Sequence, residues 1–140
     1  MFIIILKDGI KAYNLSVMDK CEKKILIVED QKIIALDLKH ILKKKGYLIL
    51  GICDNGEDAI KITIAQKPDL ILMDIVLKGE LNGIQTAESI SKDYNVPVIY
   101  LTALTDVDTY IKALRTEPRK YLMKPLEINS LEKAIEAVFA

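Results

Sequence analysis

The sequence predicts a single α/β domain built on a doubly wound parallel sheet. From Lys24 onward, short apolar runs alternate with helical patterns at intervals of about 20 to 25 residues. The runs are apolar on both faces, which is typical of strands that are covered by helices on both sides. A chain of 140 residues is long enough to bury one core without disulfides or structural metals.

Five of these runs are expected to be strands, at residues 25–28, 47–53, 69–74, 98–101 and 120–123. Helices are expected between and after them, at 32–45, from Asn55 to about Lys67, at 83–94, at 106–115 and in the last segment. Asn55 is a candidate N-cap with Asp58 three positions later, and Gly46 is a natural C-terminal cap for the first helix.

Residues at helical spacing, all but Thr63 apolar, should face the sheet. They are Ile33, Leu36, Ile41 and Leu42 in the first helix; Ala59, Ile60, Thr63 and Ile64 in the second; and Ile128, Leu131, Ala134, Ile135 and Val138 in the last. Because right-handed crossovers place such helices on both faces, the flavodoxin-like strand order 2-1-3-4-5 fits this length.

Residues 1–22 are predicted to form an extension that precedes the domain at 23–140. The apolar residues 2–6, the turn signal at 7–9 and residues 10–15 favour a hairpin. Alternatively, Met18 is the native start and the first 17 residues are an appendage. Five apolar residues are too few to span a bilayer, so neither a membrane anchor nor a secretion signal is expected.

Composition argues against several classes of function. Basic and acidic residues both number 20, and the only dense basic run is Lys43-Lys44-Lys45, so nucleic-acid binding is not expected. Cys21 and Cys53 form no metal or redox motif and are interpreted as reduced thiols of a cytoplasmic protein. His40 is the sole histidine, and its helical setting favours a surface position over a catalytic role.

Polar residues follow four of the strands: Glu29 and Asp30, Asp74, Thr102 and Lys124. In isolation, Asp74 is more typical of a turn-capping residue, but in the predicted fold all of these strand ends share one rim. Three crowded carboxylates require a cation, and an oxygen-only ligand set favours Mg²⁺, with Mn²⁺ as a substitute. With the ion bound, the Asp74 carboxylate can accept a phosphoryl group, while Thr102 and Lys124 stabilise its oxygens.

Four motifs lie at these strand ends: Ile27-Val28-Glu29-Asp30, Leu72-Met73-Asp74, Leu101-Thr102-Ala103 and Tyr121-Leu122-Met123-Lys124-Pro125. Between the second and the third, Gly83 opens the helix that follows strand three. In this order they resemble the receiver domain of two-component response regulators over residues 24–140. The resemblance implies phosphoryl transfer to Asp74 from a sensor histidine kinase or a phosphotransfer protein, without turnover as an enzyme. It also implies a switched face that a downstream protein reads.

The resemblance assigns further roles. It implies that Asp30, Asp74 and the Val76 carbonyl bind the metal directly and that Glu29 binds it through a water. Thr102 and Tyr121 are implied as the switch residues, and the peptide bond after Lys124 is implied to be cis.

The chain departs from the family pattern at two places. Glu117-Pro118 replaces a Gly-Ala pair found in many receivers, so the resemblance does not define the loop before Tyr121. Val76 and Leu104, two residues beyond Asp74 and Thr102, are apolar. Polar residues at these positions can orient an attacking water, so slow self-dephosphorylation is predicted.

Two other classes of function remain open. A phosphatase of the haloacid-dehalogenase type also uses an Asp nucleophile, Mg²⁺, a Thr and a Lys, but it usually carries a second Asp where this chain has Val76. A phosphorylation-independent interaction module is the other alternative. The polar helix at 106–115 could form a homodimer surface, although a solvated face is the default.

Overall fold

The computed structural model describes residues 2–7, 9–13 and 23–140. Its first elements are an antiparallel pair of strands, β1 (Phe2–Leu6) and β2 (Gly9–Tyr13), which pair from Phe2 with Tyr13 to Leu6 with Gly9. Asp8 of the predicted turn, Met18 and Cys21 lie outside the described residues. The domain boundary at residue 22 stays a prediction.

A five-stranded parallel sheet forms the centre of the molecule. Its strands are β3 (Lys24–Val28), β4 (Leu48–Cys53), β5 (Leu70–Met73), β6 (Val98–Thr102) and β7 (Lys120–Met123). They lie in the order β4-β3-β5-β6-β7, and each neighbouring pair is parallel. This is the predicted flavodoxin-like order, 2-1-3-4-5 within the sheet, and it is confirmed.

Five helices connect and follow these strands: α1 (Lys32–Lys44), α2 (Gly56–Gln66), α3 (Gly83–Ser91), α4 (Val107–Leu114) and α5 (Ile128–Phe139). The predicted cap of α2 is confirmed, because the Asn55 side chain accepts a hydrogen bond of 2.8 Å from the Asp58 amide. Helix α3 is shorter than predicted. The amides of Asp93 and Tyr94 both donate to the Ile90 carbonyl, which closes the helix in a turn.

Helices cover both faces of the sheet. The buried residues Ala35, Leu38 and Leu42 of α1 pack with Leu131 and Ile135 of α5 in one core cluster. A second cluster contains buried residues of α2, α3 and α4, among them Ala59, Ile84, Ile90 and Ala113. Strand β5 is fully buried, so Asp74, the residue that follows it, lies at the end of a strand in the middle of the core.

Four of the expected core residues are exposed instead. Ile33 is 85% exposed, Leu36 49%, Ile64 51% and Ile128 37%. The inner stripe of α1 is set by Ala35, Leu38 and Leu42, and the inner face of α2 by Ala59 and Thr63. The prediction was wrong at these positions because helical spacing identifies an apolar stripe but does not show which side of that stripe meets the sheet.

Two further expectations can be compared with the described part of the chain. His40 is exposed on α1, as predicted. Among the described residues, no helix combines the length and the apolar character that a membrane crossing requires.

Candidate functional site

The sheet fixes the backbone of the predicted site residues. The Asp74 amide donates to the Val28 carbonyl, the Glu29 amide to the Cys53 carbonyl and the Lys124 amide to the Thr102 carbonyl, each at 2.9 Å. These bonds continue the ladder one residue beyond the strand ends. The predicted rim is therefore an extension of the sheet itself.

The carboxylates of Glu29, Asp30 and Asp74 converge at this rim. One oxygen from each lies within 4.8 Å of the others. Glu29 is 2% exposed and Asp74 5%, while Asp30 is half-buried. Such a cluster is repulsive unless positive charge compensates it.

Lys124 provides positive charge at the cluster. Its ammonium donates to Glu29 Oε2 at 2.7 Å and to Asp74 Oδ2 at 2.9 Å. The other Glu29 oxygen accepts a hydrogen bond of 3.1 Å from the Gln31 amide. Lys124 therefore contacts Glu29, which lies 95 residues earlier in the sequence, and Asp74, which lies 50 residues earlier.

Burial and charge together shift the pKa values of this group. Burial raises the pKa of Glu29 and the nearby Asp74 charge adds to this, although hydrogen bonds from Lys124 and Gln31 oppose it. Burial alone would lower the pKa of Lys124, but its hydrogen bonds to Glu29 and Asp74 and their negative charges raise it overall. Lys124 thus stays charged over the physiological range.

The cluster also fits a metal ion. Glu29, Asp30 and Asp74 offer only carboxylate oxygens, the donors that Mg²⁺ and similar hard cations prefer. The acidic triad is consistent with a metal site, and Asp30 is the member with no hydrogen bond to the Lys124 ammonium among the described contacts.

The segment after Asp74 is held tightly at its start. The Val76 amide donates to Asp74 Oδ1 at 3.3 Å, and the Gly83 amide donates to the Ile75 carbonyl at 2.8 Å. A Cβ atom at Gly83 would lie 2.0 Å from the Asp74 carbonyl oxygen, so a side chain cannot fit there. This steric role of Gly83 was not foreseen, since the sequence shows it only as a helix start.

Thr102 and Tyr121 meet at the backbone of one residue. Thr102 is fully buried, and its hydroxyl accepts a hydrogen bond of 3.3 Å from the Leu104 amide. The Tyr121 hydroxyl donates to the Leu104 carbonyl at 3.1 Å. Leu104 therefore links the two predicted switch residues.

Tyr121 also contacts α4. The Tyr110 ring packs edge-on against the Tyr121 ring with 5.0 Å between centroids, a contact that sequence reasoning missed. The only signal was an aromatic residue in a polar helix. In the loop before Tyr121, Glu117 adopts a left-handed conformation with φ of 55°. The peptide bond between Lys124 and Pro125 is cis, as the resemblance implied.

Comparisons with known proteins agree with this geometry. A family model described as the response regulator receiver domain matches residues 25–136. The transcriptional regulatory protein PdtaR of Mycobacterium tuberculosis is 34% identical over 114 residues, which cover 81% of this chain and 55% of PdtaR. Protein PilH of Pseudomonas aeruginosa is 37% identical over 120 residues, which cover 84% of this chain and 98% of PilH.

A solved structure is similar to this chain in both fold and sequence. The signal receiver domain of a modulated diguanylate cyclase from Desulfovibrio desulfuricans has a TM-score of 0.78 and 39% identity, over 83% of this chain and 92% of that one. Lengths differ among the relatives. This chain spans 55% of PdtaR but 98% of PilH.

Proposed function

The chain belongs to the response regulator receiver family, and on that premise we propose that Asp74 accepts a phosphoryl group from a phosphohistidine. The donor would be a sensor histidine kinase or a phosphotransfer protein. As a receiver, the chain is a two-component signalling protein and not a turnover enzyme. The observation that carries the proposal is the buried Asp74 carboxylate, which Lys124 contacts within a triad of acids.

In the transfer, an Asp74 carboxylate oxygen bonds to phosphorus as the bond from phosphorus to the donor histidine nitrogen breaks. The bonding pair leaves with that nitrogen. Lys124, 2.9 Å from Asp74 in the unloaded site, would turn its charge to a phosphoryl oxygen, and the Thr102 hydroxyl would approach a second one.

Metal binding would complete the site. Asp30, Asp74 and the Val76 carbonyl would hold the ion directly, and Glu29 would hold it through a water. When bound, Mg²⁺, or Mn²⁺ as a substitute, supplies positive charge that compensates the phosphoryl oxygens.

Loading would be transmitted through Leu104. When the Thr102 hydroxyl turns to the phosphoryl group, its hydrogen bond with the Leu104 amide is lost. The carbonyl of the same residue accepts the hydrogen bond from Tyr121, so a shift of Leu104 would reach Tyr121. Tyr121 would then swing inward and leave its edge-on contact with Tyr110. The surface of α4, β7 and α5 changes with it, and a downstream protein would read that change.

The decisive experiment is to add beryllofluoride with Mg²⁺ and follow backbone amide signals by NMR. We expect shifts at Asp74, Thr102 and Tyr121 in the wild type and none in Asp74→Asn. Asp58→Asn, which removes an exposed carboxylate outside the triad, should respond like the wild type.

Other outcomes identify the alternatives. A wild type that does not respond would favour a phosphorylation-independent interaction module. Repeated release of phosphate from a phosphomonoester would favour a phosphatase. A response of Asp74→Asn equal to that of the wild type would overturn the assignment of Asp74.

We also propose that the loaded protein loses its phosphate slowly. Val76 is 53% exposed at the site and Leu104 is partly exposed, and neither side chain can hydrogen-bond an attacking water. Phosphate on the wild type should persist for minutes rather than seconds, and Val76→Asn should shorten its lifetime. Loss within seconds from the wild type would contradict this proposal.

A further inference from the structure

The segment from Ile75 to Asn82 has no helix or strand of its own. It includes Val76, whose carbonyl is a proposed metal ligand. When a metal ligand is a backbone carbonyl on an irregular segment, the metal affinity depends on how rigidly that segment is held. Conformational freedom that the segment loses on binding weakens the affinity. The contacts that hold its middle therefore bear on the metal site.

The middle of the segment is tied to the corner between β4 and α2. The Lys78 amide donates to the Asp54 carbonyl at 3.1 Å, which forms an isolated parallel bridge beside β4. The Lys78 ammonium lies 3.5 Å from Asp54 Oδ2. This tie is largely a backbone contact, so substituting a side chain would not remove it.

The second tie depends on the side chain of Glu57, in the first turn of α2. Glu57 Oε1 accepts a hydrogen bond of 3.3 Å from the Glu80 amide. Gly79 has φ of 84°, and a Cβ there would lie 2.8 Å from Glu57 Oε2. The Glu57 carboxylate can therefore approach the backbone of residue 79 this closely because glycine has no side chain there.

We propose that Glu57 is a positioning residue for the metal site, which it serves by holding residues 78–80 so that the Val76 carbonyl is preorganised. The inference rests on the proposed function, because it takes the Val76 carbonyl as a ligand. Glu57 does not itself belong to the triad of Glu29, Asp30 and Asp74. Its effect is exerted through the backbone of the segment, as supporting contacts orient ligands in other metal sites.

Charge is the competing explanation, and the chain offers a matched control for it. Asp58 is the other acid in the first turn of α2, and its side chain accepts from Asn55 Nδ2 instead of from the 78–80 segment. Asp58→Ala therefore removes the same charge from the same turn and leaves the tie in place. Glu57→Gln removes the charge but keeps an oxygen that can accept the Glu80 amide.

The test is an NMR-monitored Mg²⁺ titration of the wild type and these variants, with thermal unfolding measured without metal. We expect Glu57→Ala to weaken Mg²⁺ binding by about three- to tenfold, in proportion to one lost hydrogen bond. Glu57→Gln and Asp58→Ala should each stay within about twofold of the wild type. Hydrogen exchange at the Glu80 amide should accelerate in Glu57→Ala alone.

Each result separates the two proposals. If the wild type binds Mg²⁺ and Glu57→Ala binds it equally well, the positioning role is overturned and the proposed function stands. Equal weakening in all three variants would mean that charge is responsible, which also overturns it. A wild type that fails to bind Mg²⁺ would overturn both.

Discussion

Lys124 is the residue on which the electrostatics of the site depend. It is the cation that contacts both Glu29 and Asp74, and all three groups are largely shielded from water. Removing one partner of a buried ion pair is costly because the other charge is left uncompensated. Without Lys124, two adjacent carboxylates would remain.

We therefore predict that Lys124→Met lowers the free energy of unfolding by about 3 kcal/mol at neutral pH without metal. Lys120→Met, at an exposed position of β7, the strand that precedes Lys124, should change it by less than about 0.5 kcal/mol. Urea denaturation of both variants measures the difference. Equal stability of the two variants would mean that the ion pairs contribute nothing.

The cost of Lys124→Met should also depend on pH. The pKa of Glu29 is raised above 4.5 mainly by burial, and losing Lys124 removes an interaction that lowers it. A carboxyl whose pKa is raised on folding binds its proton more readily in the folded state, so stability increases as pH falls through that pKa. The deficit of the variant should therefore shrink on acidification, and a constant deficit would contradict this explanation.

Cys53 offers a second prediction at this scale. Burial, with smaller effects from Asp58 and Asp54, raises the pKa of its thiol to about 12. Only the thiolate reacts with iodoacetamide. In a Cys21→Ser variant at pH 8, native labelling should be at least about a thousandfold slower than labelling in urea, and faster as pH rises. Rapid native labelling would show that Cys53 is accessible.

At the scale of elements, the start of α3 is a closely constrained junction. Asn82 and Gln85 form a capping box, with hydrogen bonds of 2.9 Å in both directions. Gly83 lies against the Asp74 carbonyl, so the helix begins in contact with the residue proposed to accept phosphate. The position of α3 and that of Asp74 are thereby coupled.

Gly83→Ala should lower the free energy of unfolding by at least about 2 kcal/mol, because its Cβ would overlap backbone that cannot move away. Gly51→Ala is the matched control, since a Cβ on that strand residue would meet nothing within 4 Å. Its effect should stay within about 0.5 kcal/mol. Chemical denaturation of both variants tests the pair, and a mild effect of Gly83→Ala would show that α3 can shift.

Elements differ in how far their sequences define them. Asn55 was predictable as a cap because the partner amide lies three residues away. Ile33 and Leu36 were placed wrongly because helical spacing identifies an apolar stripe but not which side of it meets the sheet. Small residues such as Ala35 decide that, since they allow close approach of the helix.

For the molecule as a whole, the fold and the convergence of the acids were predictable from strand order. Parallel strands end at one edge, so residues after β3 and β5 must be neighbours. Sequence could not show that one Lys124 ammonium contacts both Glu29 and Asp74, or that Glu57 holds the Glu80 amide. Such contacts depend on side-chain rotamers and loop paths, which have no short-range signature.

The two sheets of the described chain share no strand, which leads to a prediction about the whole molecule. Among the described residues, the two core clusters begin at Ile25. A chain that starts at Lys23 should therefore unfold with a free energy within about 1 kcal/mol of that of the full chain. A loss of several kcal/mol on truncation would show that the first residues support the domain.

The hydrogen bonds that carry the sheet ladder past its strand ends have a consequence for mutational studies. Since Glu29, Asp74 and Lys124 are fastened by the same bonds as the core, their amides should open only when the entire sheet opens. Val76 and Leu104 lie on the connecting segments, and their amides donate instead to side chains, the Asp74 carboxylate and the Thr102 hydroxyl, at 3.3 Å each. Substitutions of the Val76 and Leu104 side chains should therefore change the proposed phosphate lifetime with little effect on the stability of the sheet.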